Sequence, residues 1–256
     1  FAVGVATALG LFSLSKFILG AVKFGWVTFL RPPKDLVKTY GSWALVTGGA
    51  NGIGRAFAFQ LASKGLSLIL LDRDQAQLEA DPDATESVLN VNAGAPTWAT
   101  MAVLPSMMKK KRGAIVNMGS ASAHVLDAYP LVSIYGATKA YIEHFSKSIS
   151  IEYGRYGIDV QCQAPSYIAT KMTRRKQGSL LVPTAETWCQ ASVRWIGYDT
   201  VCSPYWPHYL MSLLYRMIPN FVLDWYFMRS NLQARDFYMK KDADRAESEE
   251  NGKKII

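Results

Sequence analysis

The chain has 256 residues, half of them apolar, and a formal net charge of +8 at pH 7, which is enough material to bury one sizeable core. Its basic residues fall in short scattered runs at 109–112, 174–176, 240–241 and 253–254, with no basic helix interleaved with aromatics, so no nucleic-acid partner is expected. Cys162, Cys189 and Cys202 lack paired or metal-type spacing, and His124, His144 and His208 add none, so neither a disulfide framework nor a metal site is expected.

Phe1 is not an initiator methionine, and the sequence reads as beginning inside a longer chain. Residues 1–30 are almost wholly apolar, broken only by Lys16 and Lys23. A bilayer span needs about 20 apolar residues, and no small-residue cleavage site follows, so 1–30 is expected to be an uncleaved membrane helix. Arg31-Pro32-Pro33 stops it, because proline cannot continue a helix and pushes its predecessor to extended backbone.

The folded domain is expected over 40–200. Trp43 to Thr47 is a short apolar run leading into glycines. Arg55 to Lys64 then carries apolar residues at helical spacing, through Phe57, Leu61 and Ala62, and stops at Gly65. Leu66 to Leu71 is a second buried strand ending in Asp72-Arg73. Further strands are expected at Gly113–Met118 and Ile158–Gln163, with a long helix from Tyr135 to Tyr153 between them. Strands alternating with helices predict an α/β fold, a Rossmann-type doubly wound parallel sheet. Residues 201–228 turn aromatic and apolar again, interrupted by Pro204, Pro207 and Pro219, and read as a membrane-associated or substrate-covering segment, with a buried helix pair as the alternative. The charged stretch 229–256 reads as a tail, disordered from Lys240 onward.

Two motifs carry chemistry. Thr47-Gly48-Gly49-Ala50-Asn51-Gly52-Ile53-Gly54 lies between a strand and a helix. There Gly48 permits a tight turn, Gly52 lets backbone approach a pyrophosphate, and Gly54 allows close packing of helix on strand. The helix start offers unpaired N–H groups to the phosphates. Asp72 at the end of the second strand suits ribose hydroxyls and Arg73 beside it suits a 2′-phosphate, so these residues leave NAD and NADP both open.

In Tyr135-Gly136-Ala137-Thr138-Lys139, a phenol and an ammonium share one helix face. A phenol ionises near pH 10, and a neighbouring ammonium stabilises the phenolate so that it can donate and regain a proton near neutrality. Ser120 follows the preceding strand as a hydroxyl able to hold a carbonyl oxygen. Ser122 lies 13 residues before Tyr135 and competes for that role, whereas Ser133 is too close to the helix start. Glu143 and Glu152 read as solvated positions of the same helix. Trp195, Trp206 and Trp225 suit an acyl channel, a bilayer interface or core packing.

TGGANGIG, then GAIVNMGS, then YGATK, in this order along an α/β chain, resembles the short-chain dehydrogenase/reductase family. That resemblance implies a single Rossmann-type domain and a catalytic set of Tyr135 as acid, Lys139 as the group that lowers its pKa and bonds the nicotinamide ribose, Ser120 as the carbonyl holder, and Asn92. It also implies a cofactor contact from Pro165 to Thr170, including Pro165, Ile168 and Thr170, with Ser166 where the family usually has glycine. Over most of the chain, LFSLSK, VTFLRPPKDL, GSWALVTGGANGIGRAFAFQLA, YGATKAYIEHFSKS, GIDVQCQAPSYIATKM, RWIGY and SPYWPH resemble the plant branch of the family that reduces very-long-chain 3-oxoacyl-CoA in microsomal elongation.

The implied cofactor is NADPH and the implied substrate a long-chain acyl-CoA thioester. The implied place is the endoplasmic-reticulum membrane, with its lipid and other elongation enzymes as partners. Lys253-Lys254-Ile255-Ile256 fits a dilysine retrieval signal. A steroid 17-keto reductase on the same scaffold is the alternative substrate class, and a catalytically inactive shortened member is the alternative of another kind.

The chain departs from the family in one place. Only 19 residues separate Asp72 from Asn92, where two further strand–helix units of about 30 residues each are expected. The domain is therefore read as internally shortened between 73 and 91, lacking its third and fourth strands. Asn92 is then either the catalytic asparagine on its helix or part of an improvised turn, Asn92-Ala93-Gly94.

Overall fold

The computed structural model describes residues 2–72, 83–170, 173 and 178–253. Helix α1, Ala2–Gly25, runs into a π turn at Trp26–Leu30 and stops at Arg31, whose ψ of 123° is the extended backbone imposed by the following proline. Among the described residues, no helix is long and apolar enough to cross a membrane.

The segment after α1 is fastened to the domain. The Arg31 guanidinium lies 3.7 Å from the Tyr198 ring centroid and 4.6 Å from that of Trp195. Tyr198 donates to the Pro32 carbonyl at 2.6 Å, and Lys34 pairs with Asp159 at 3.0 Å. Helix α2, Leu36–Tyr40, is capped by the Asp35 carboxylate accepting from the Lys38 N–H.

Strand β1, Trp43–Thr47, helix α3, Gly52–Ser63, and strand β2, Ser67–Leu71, form the expected parallel opening unit, with Val46 beside Leu70. Gly65, at φ +84°, turns the chain out of α3. Helix α4, Asp83–Leu89, passes through a π turn at Asn90–Gly94 into α5, Ala95–Lys110. Strand β3, Gly113–Met118, helix α6, Ala121–His124, helix α7, Ser133–Gly154, and strand β4, Ile158–Gln163, follow. Helix α8, Ala185–Val193, leads to the short β5, Val201–Cys202, and then to α9, Trp206–Met217.

One continuous sheet was expected, but the strands form two parallel sheets, β1–β2 and β3–β4–β5. Among the described residues, nothing pairs β1 with β3. The pieces are joined by side chains instead. Val46 of β1 and Ala56, Phe57 and Leu61 of α3 share one core with Ile168 and with Trp188, Cys189 and Val193 of α8, and Ala114, Val116 and Met118 of β3 pack against it.

Helix α8 is in turn held by buried amides. Gln161 donates to the Trp195 and Asp199 carbonyls at 2.8 and 2.7 Å, and Gln163 donates to the Ser192 carbonyl at 3.2 Å. Among the described residues, nothing covers the other face of β1–β2. Trp43, Leu45, Ile69 and Leu71 project there and are 67, 43, 54 and 57% exposed, whereas a doubly wound sheet covers both faces with helices.

In residues 201–228, β5 completes the second sheet, α9 buries Pro207, His208 and Ser212, and the helix ends before α10 begins at Asn220. The charged stretch is helical, α10 running Asn220–Lys253, because its Ala, Lys, Arg and Glu are strong helix formers that offset its poverty in apolar residues.

Candidate functional site

The glycine loop is the direct continuation of the first sheet. The Gly48 N–H donates to the Leu71 carbonyl at 2.7 Å, one step past the end of the ladder. Positive φ at Gly48 (+69°) and Gly52 (+52°) then turns the chain into α3. A Cβ on Gly54 would stand 2.1 Å from the Gly48 carbonyl oxygen, so the close approach of helix to loop requires glycine.

Asn51 has the backbone of a helix cap, φ −137° and ψ 163°, yet its side chain bonds no helix N–H. The Gly52, Ile53 and Gly54 N–H groups thus end the helix without an intrahelical acceptor, the arrangement that suits a pyrophosphate. The residues present fit the phosphate portion of a dinucleotide. Thr47 is exposed at the loop's start. The Asp72 carboxylate accepts from the Ala50 N–H and so stands at the loop's rim. Arg73 lies outside the described residues.

Beyond β3 the chain makes a second turn, stitched to the segment after β4. The Gly119 N–H donates to the Gln163 carbonyl and the Ala121 N–H to the Pro165 carbonyl, both at 2.8 Å. A Cβ at Gly119 would meet the Cys162 sulfur at 2.6 Å, which lets the turn lie close on β4. Ser120 is thereby held at the mouth, close enough to the Tyr135 phenol to draw its pKa down. The Ser122 hydroxyl lies 2.8 Å from Ser120 Oγ, and the Ser122 N–H donates to the same oxygen at 3.2 Å. Of the two competing serines, Ser120 is the one that acts on the pKa of the phenol, and Ser122 contacts Ser120.

Lys139, one helical turn beyond Tyr135, donates from Nζ to the Met118 carbonyl at 3.0 Å, and Nζ is 5.6 Å from the Tyr135 ring centroid. Asn92 stands on a helix rather than in an improvised turn. It lies in the π turn between α4 and α5, an irregularity that recurs at functional sites. Its Nδ2 donates to Thr138 Oγ1 at 3.2 Å, and that hydroxyl donates to the Tyr135 carbonyl at 2.8 Å.

Burial lowers the Lys139 pKa from 10.5 to about 8. It also raises that of Tyr135, with the Ser120 bond opposing and the Tyr167 phenol adding to the rise. The lowered phenol pKa expected from Lys139 is therefore not produced by the protein alone: desolvation dominates, and the ammonium is turned to the Met118 carbonyl. Polarising a carbonyl by a hydroxyl pair and donating a proton from Tyr135 is within the reach of this geometry.

Gly52 and Thr170 connect the two turns. A Cβ on the glycine would lie 3.5 Å from the threonine methyl carbon. Ile168, 3% exposed, anchors the same segment in the shared core, and Pro165 is buried. The Cys189 thiol donates to the Ile53 carbonyl at 3.5 Å. The glycine loop, Pro165–Thr170 and the Tyr135 cluster are thus held together although their sheets are not paired.

All three cysteines are free and buried, and the described residues contain no cluster able to hold a metal. Glu143, expected on a solvated face, is 9% exposed. It accepts from Lys147 at 2.6 Å and lies 3.1 Å from His124 Nδ1, whose Nε2 meets Arg216 of α9 at 3.1 Å. A groove on the far side of α7, lined by Met101, Tyr141, Phe145 and Tyr153, contains none of the site residues. Sequence reasoning missed Thr138, whose hydroxyl inside YGATK was the available signal, and the buried His208 of SPYWPH.

A family model described as short chain dehydrogenase matches residues 42–82 and, in a second match, 73–179. A very-long-chain 3-oxoacyl-CoA reductase-like protein of Arabidopsis thaliana is 34% identical, covering 88% of this chain and 92% of the relative. That alignment runs over 288 residues, more than the 256 of this chain, so the relative carries residues with no counterpart here. The very-long-chain 3-oxoacyl-CoA reductase-B of Danio rerio is 28% identical over 78% of this chain and 84% of its own length. The inactive hydroxysteroid dehydrogenase-like protein 1 of Homo sapiens is 28% identical over 80% of each. Among solved structures, a short chain dehydrogenase of Shigella flexneri complexed with NADP superposes with a TM-score of 0.53 at 19% identity, covering 63% of this chain and 92% of that one. This likeness is one of fold.

Proposed function

Because the chain belongs to the short-chain dehydrogenase family, we propose that it is a membrane-associated, NADPH-dependent reductase of long-chain 3-oxoacyl-CoA, acting in fatty-acid elongation at the endoplasmic reticulum. The observation that carries the reading is the Ser120–Tyr135–Lys139 cluster held beside a glycine loop whose Gly54 admits no side chain. NADPH supplies the hydride when bound.

The protein's part is to place and protonate. The N–H groups at the start of α3 receive the pyrophosphate, with Gly48, Asn51, Gly52 and Ile53 forming the cradle and Thr47 its entrance. Asp72 at the loop's rim would take the adenosine ribose, and Arg73 is assigned by its sequence position alone to a 2′-phosphate. Pro165, Ile168 and Thr170 would hold the nicotinamide side. Ser120 would fix the substrate oxygen, Tyr135 would give it a proton, and Lys139 would hold the cofactor's ribose and help return a proton to Tyr135. Asn92, through Thr138, fixes the helix turn that carries Tyr135 and Lys139.

The acyl-CoA substrate is favoured by the reductase names of the Arabidopsis and Danio relatives. Membrane lipid as a partner is favoured by Leu11, Phe12, Leu14, Ile18, Leu19 and Val22 of α1, all more than half exposed. A second apolar surface on α9, with Leu214 60% and Met217 81% exposed, supports it, and Phe24 stacks on Tyr209 at 5.0 Å to join the two helices. Other elongation enzymes are the protein partners this placement implies.

A second reading has one observation in its favour. The break between β1 and β3, with the two family matches meeting at 73–82, fits a domain that has lost its third and fourth strands. Such a chain would be an inactive member. Detergent-purified protein offered NADPH with a long-chain 3-oxoacyl-CoA, and separately with a 17-keto steroid, decides among the readings. Consumption with the thioester supports the proposal, consumption with the steroid alone moves the substrate class, and consumption with neither favours the inactive member.

A further inference from the structure

The short segment that joins β5 to α9 holds both arms of the loop that follows β4. Ser203 Oγ donates to the Ala164 carbonyl at 2.7 Å. Tyr205 donates from its phenol to the Leu180 carbonyl at 3.0 Å. His208, 1% exposed, does both tasks at once. Its Nδ1 accepts from the Ser166 N–H at 3.2 Å, and its Nε2 lies 3.2 Å from the Leu181 carbonyl oxygen.

A ring nitrogen that accepts from an N–H carries no proton, and one that faces a carbonyl must carry it, so these two bonds select the neutral Nε2–H form. Burial holds the ring in that neutral form, lowering its pKa to about 4. The Tyr205 ring packs against it at nearly a right angle, the ring centroids 5.1 Å apart. The arm that begins at Ser166 continues to the buried Ile168 and to Thr170 against Gly52.

We propose that His208 is a positioning residue for the cofactor site: clamped between Ser166 and Leu181, it sets the Pro165–Thr170 arm at its distance from the glycine loop. The inference rests on the reading of that arm as the nicotinamide side. It makes the seat of the cofactor depend on α9, an element outside the first sheet and the Tyr135 helix alike. It also gives the Ser166 N–H a fixed acceptor.

Two substitutions separate the halves of the clamp. His208→Asn places an amide oxygen where Nδ1 was and keeps the acceptor for Ser166. His208→Gln reaches the Nε2 position, keeping the donor to Leu181 and losing the acceptor. NADPH affinity from fluorescence titration should fall about tenfold in the Gln variant, the loss of one buried bond, and by less than about twofold in the Asn variant. Hydrogen exchange of the peptide spanning 164–170 should speed up in the Gln variant only.

A milder variant, Ser203→Ala, removes the neighbouring tether without touching the ring and should speed the same peptide, with the melting temperature lowered by only a few degrees. Equal behaviour of the Asn and Gln variants, or an unchanged peptide in Ser203→Ala, overturns the proposal. Wild-type protein that binds no NADPH would sink the functional reading instead, and the exchange contrast would still decide the clamp.

Discussion

Thr170 lies against Gly52, its methyl carbon 3.5 Å from where a glycine Cβ would stand. This is the place where the loop after β4 meets the loop after β1, across two sheets that are not paired among the described residues. The contact exists because α8 packs on α3, so side-chain packing does the aligning that a continuous strand ladder does in a complete sheet.

The glycine loop should therefore be intolerant at one position and strained at another. Gly54→Ala would drive its Cβ into the Gly48 carbonyl, and NADPH affinity should fall by more than about tenfold. Gly52→Ala meets only ordinary contact at Thr170, but its φ of +52° costs about 1–2 kcal/mol. Fluorescence titration and thermal melts of both variants check this order, and a Gly54→Ala protein that binds as well as wild type would refute it.

Lys139 makes a pH prediction. Burial lowers its pKa in the folded protein from 10.5 to about 8, so between these values the unfolded chain binds more protons and stability rises with pH. Below about 8 the full cost of burying the ammonium is present. Lys139→Met should be more stable than wild type at pH 7 by roughly 1–3 kcal/mol, after allowing for the lost bond to Met118. The gap should narrow by pH 10 in urea unfolding, and a gap that widens would contradict the assignment.

Glu143 gives the opposite sign. Burial raises its pKa, but the bonds from His124 and Lys147 outweigh burial and leave it below 4.5. Its contribution is present above that value and lost as pH falls through the folded pKa. Glu143→Gln should cost about 1–3 kcal/mol at pH 7 and little at pH 3, by denaturant midpoint at each pH. An equal cost at both pH values would remove the charge from the explanation.

The two faces of β1 should respond differently. Val46, 9% exposed, looks into the shared core, and Leu45, 43% exposed, looks onto the uncovered side. Val46→Ala should cost about 1–3 kcal/mol and Leu45→Ala less than about 1. Equal costs in denaturant titrations would mean that the uncovered face is packed in solution.

Much of this arrangement was legible in the residues. The apolar runs at 43–47, 113–118 and 158–163 become strands because short runs bounded by glycine or charge have few other uses, and the 135–139 motif lands on a helix through its spacing. The split of the sheet was foreshadowed by the 19 residues between Asp72 and Asn92. Its repair was not, since the packing of α3 on α8 is a long-range contact with no local pattern. Glu143 looked solvated because its partner His124 lies on another helix. The raised Tyr135 pKa was invisible for the same reason: burial is a property of the fold, whereas an adjacent lysine is a property of the sequence. The 240–253 stretch was misread because charge density was weighed above helix propensity.

The central claim is that the glycine loop and the Tyr135 cluster form one working site despite the divided sheet. Single-turnover consumption of NADPH with a long-chain 3-oxoacyl-CoA, compared between wild type and Tyr135→Phe, tests it most directly. The account predicts consumption by wild type and a rate about 10²–10⁴-fold lower in the variant. Equal rates in the two proteins, or no consumption by a wild type that binds NADPH, would contradict it.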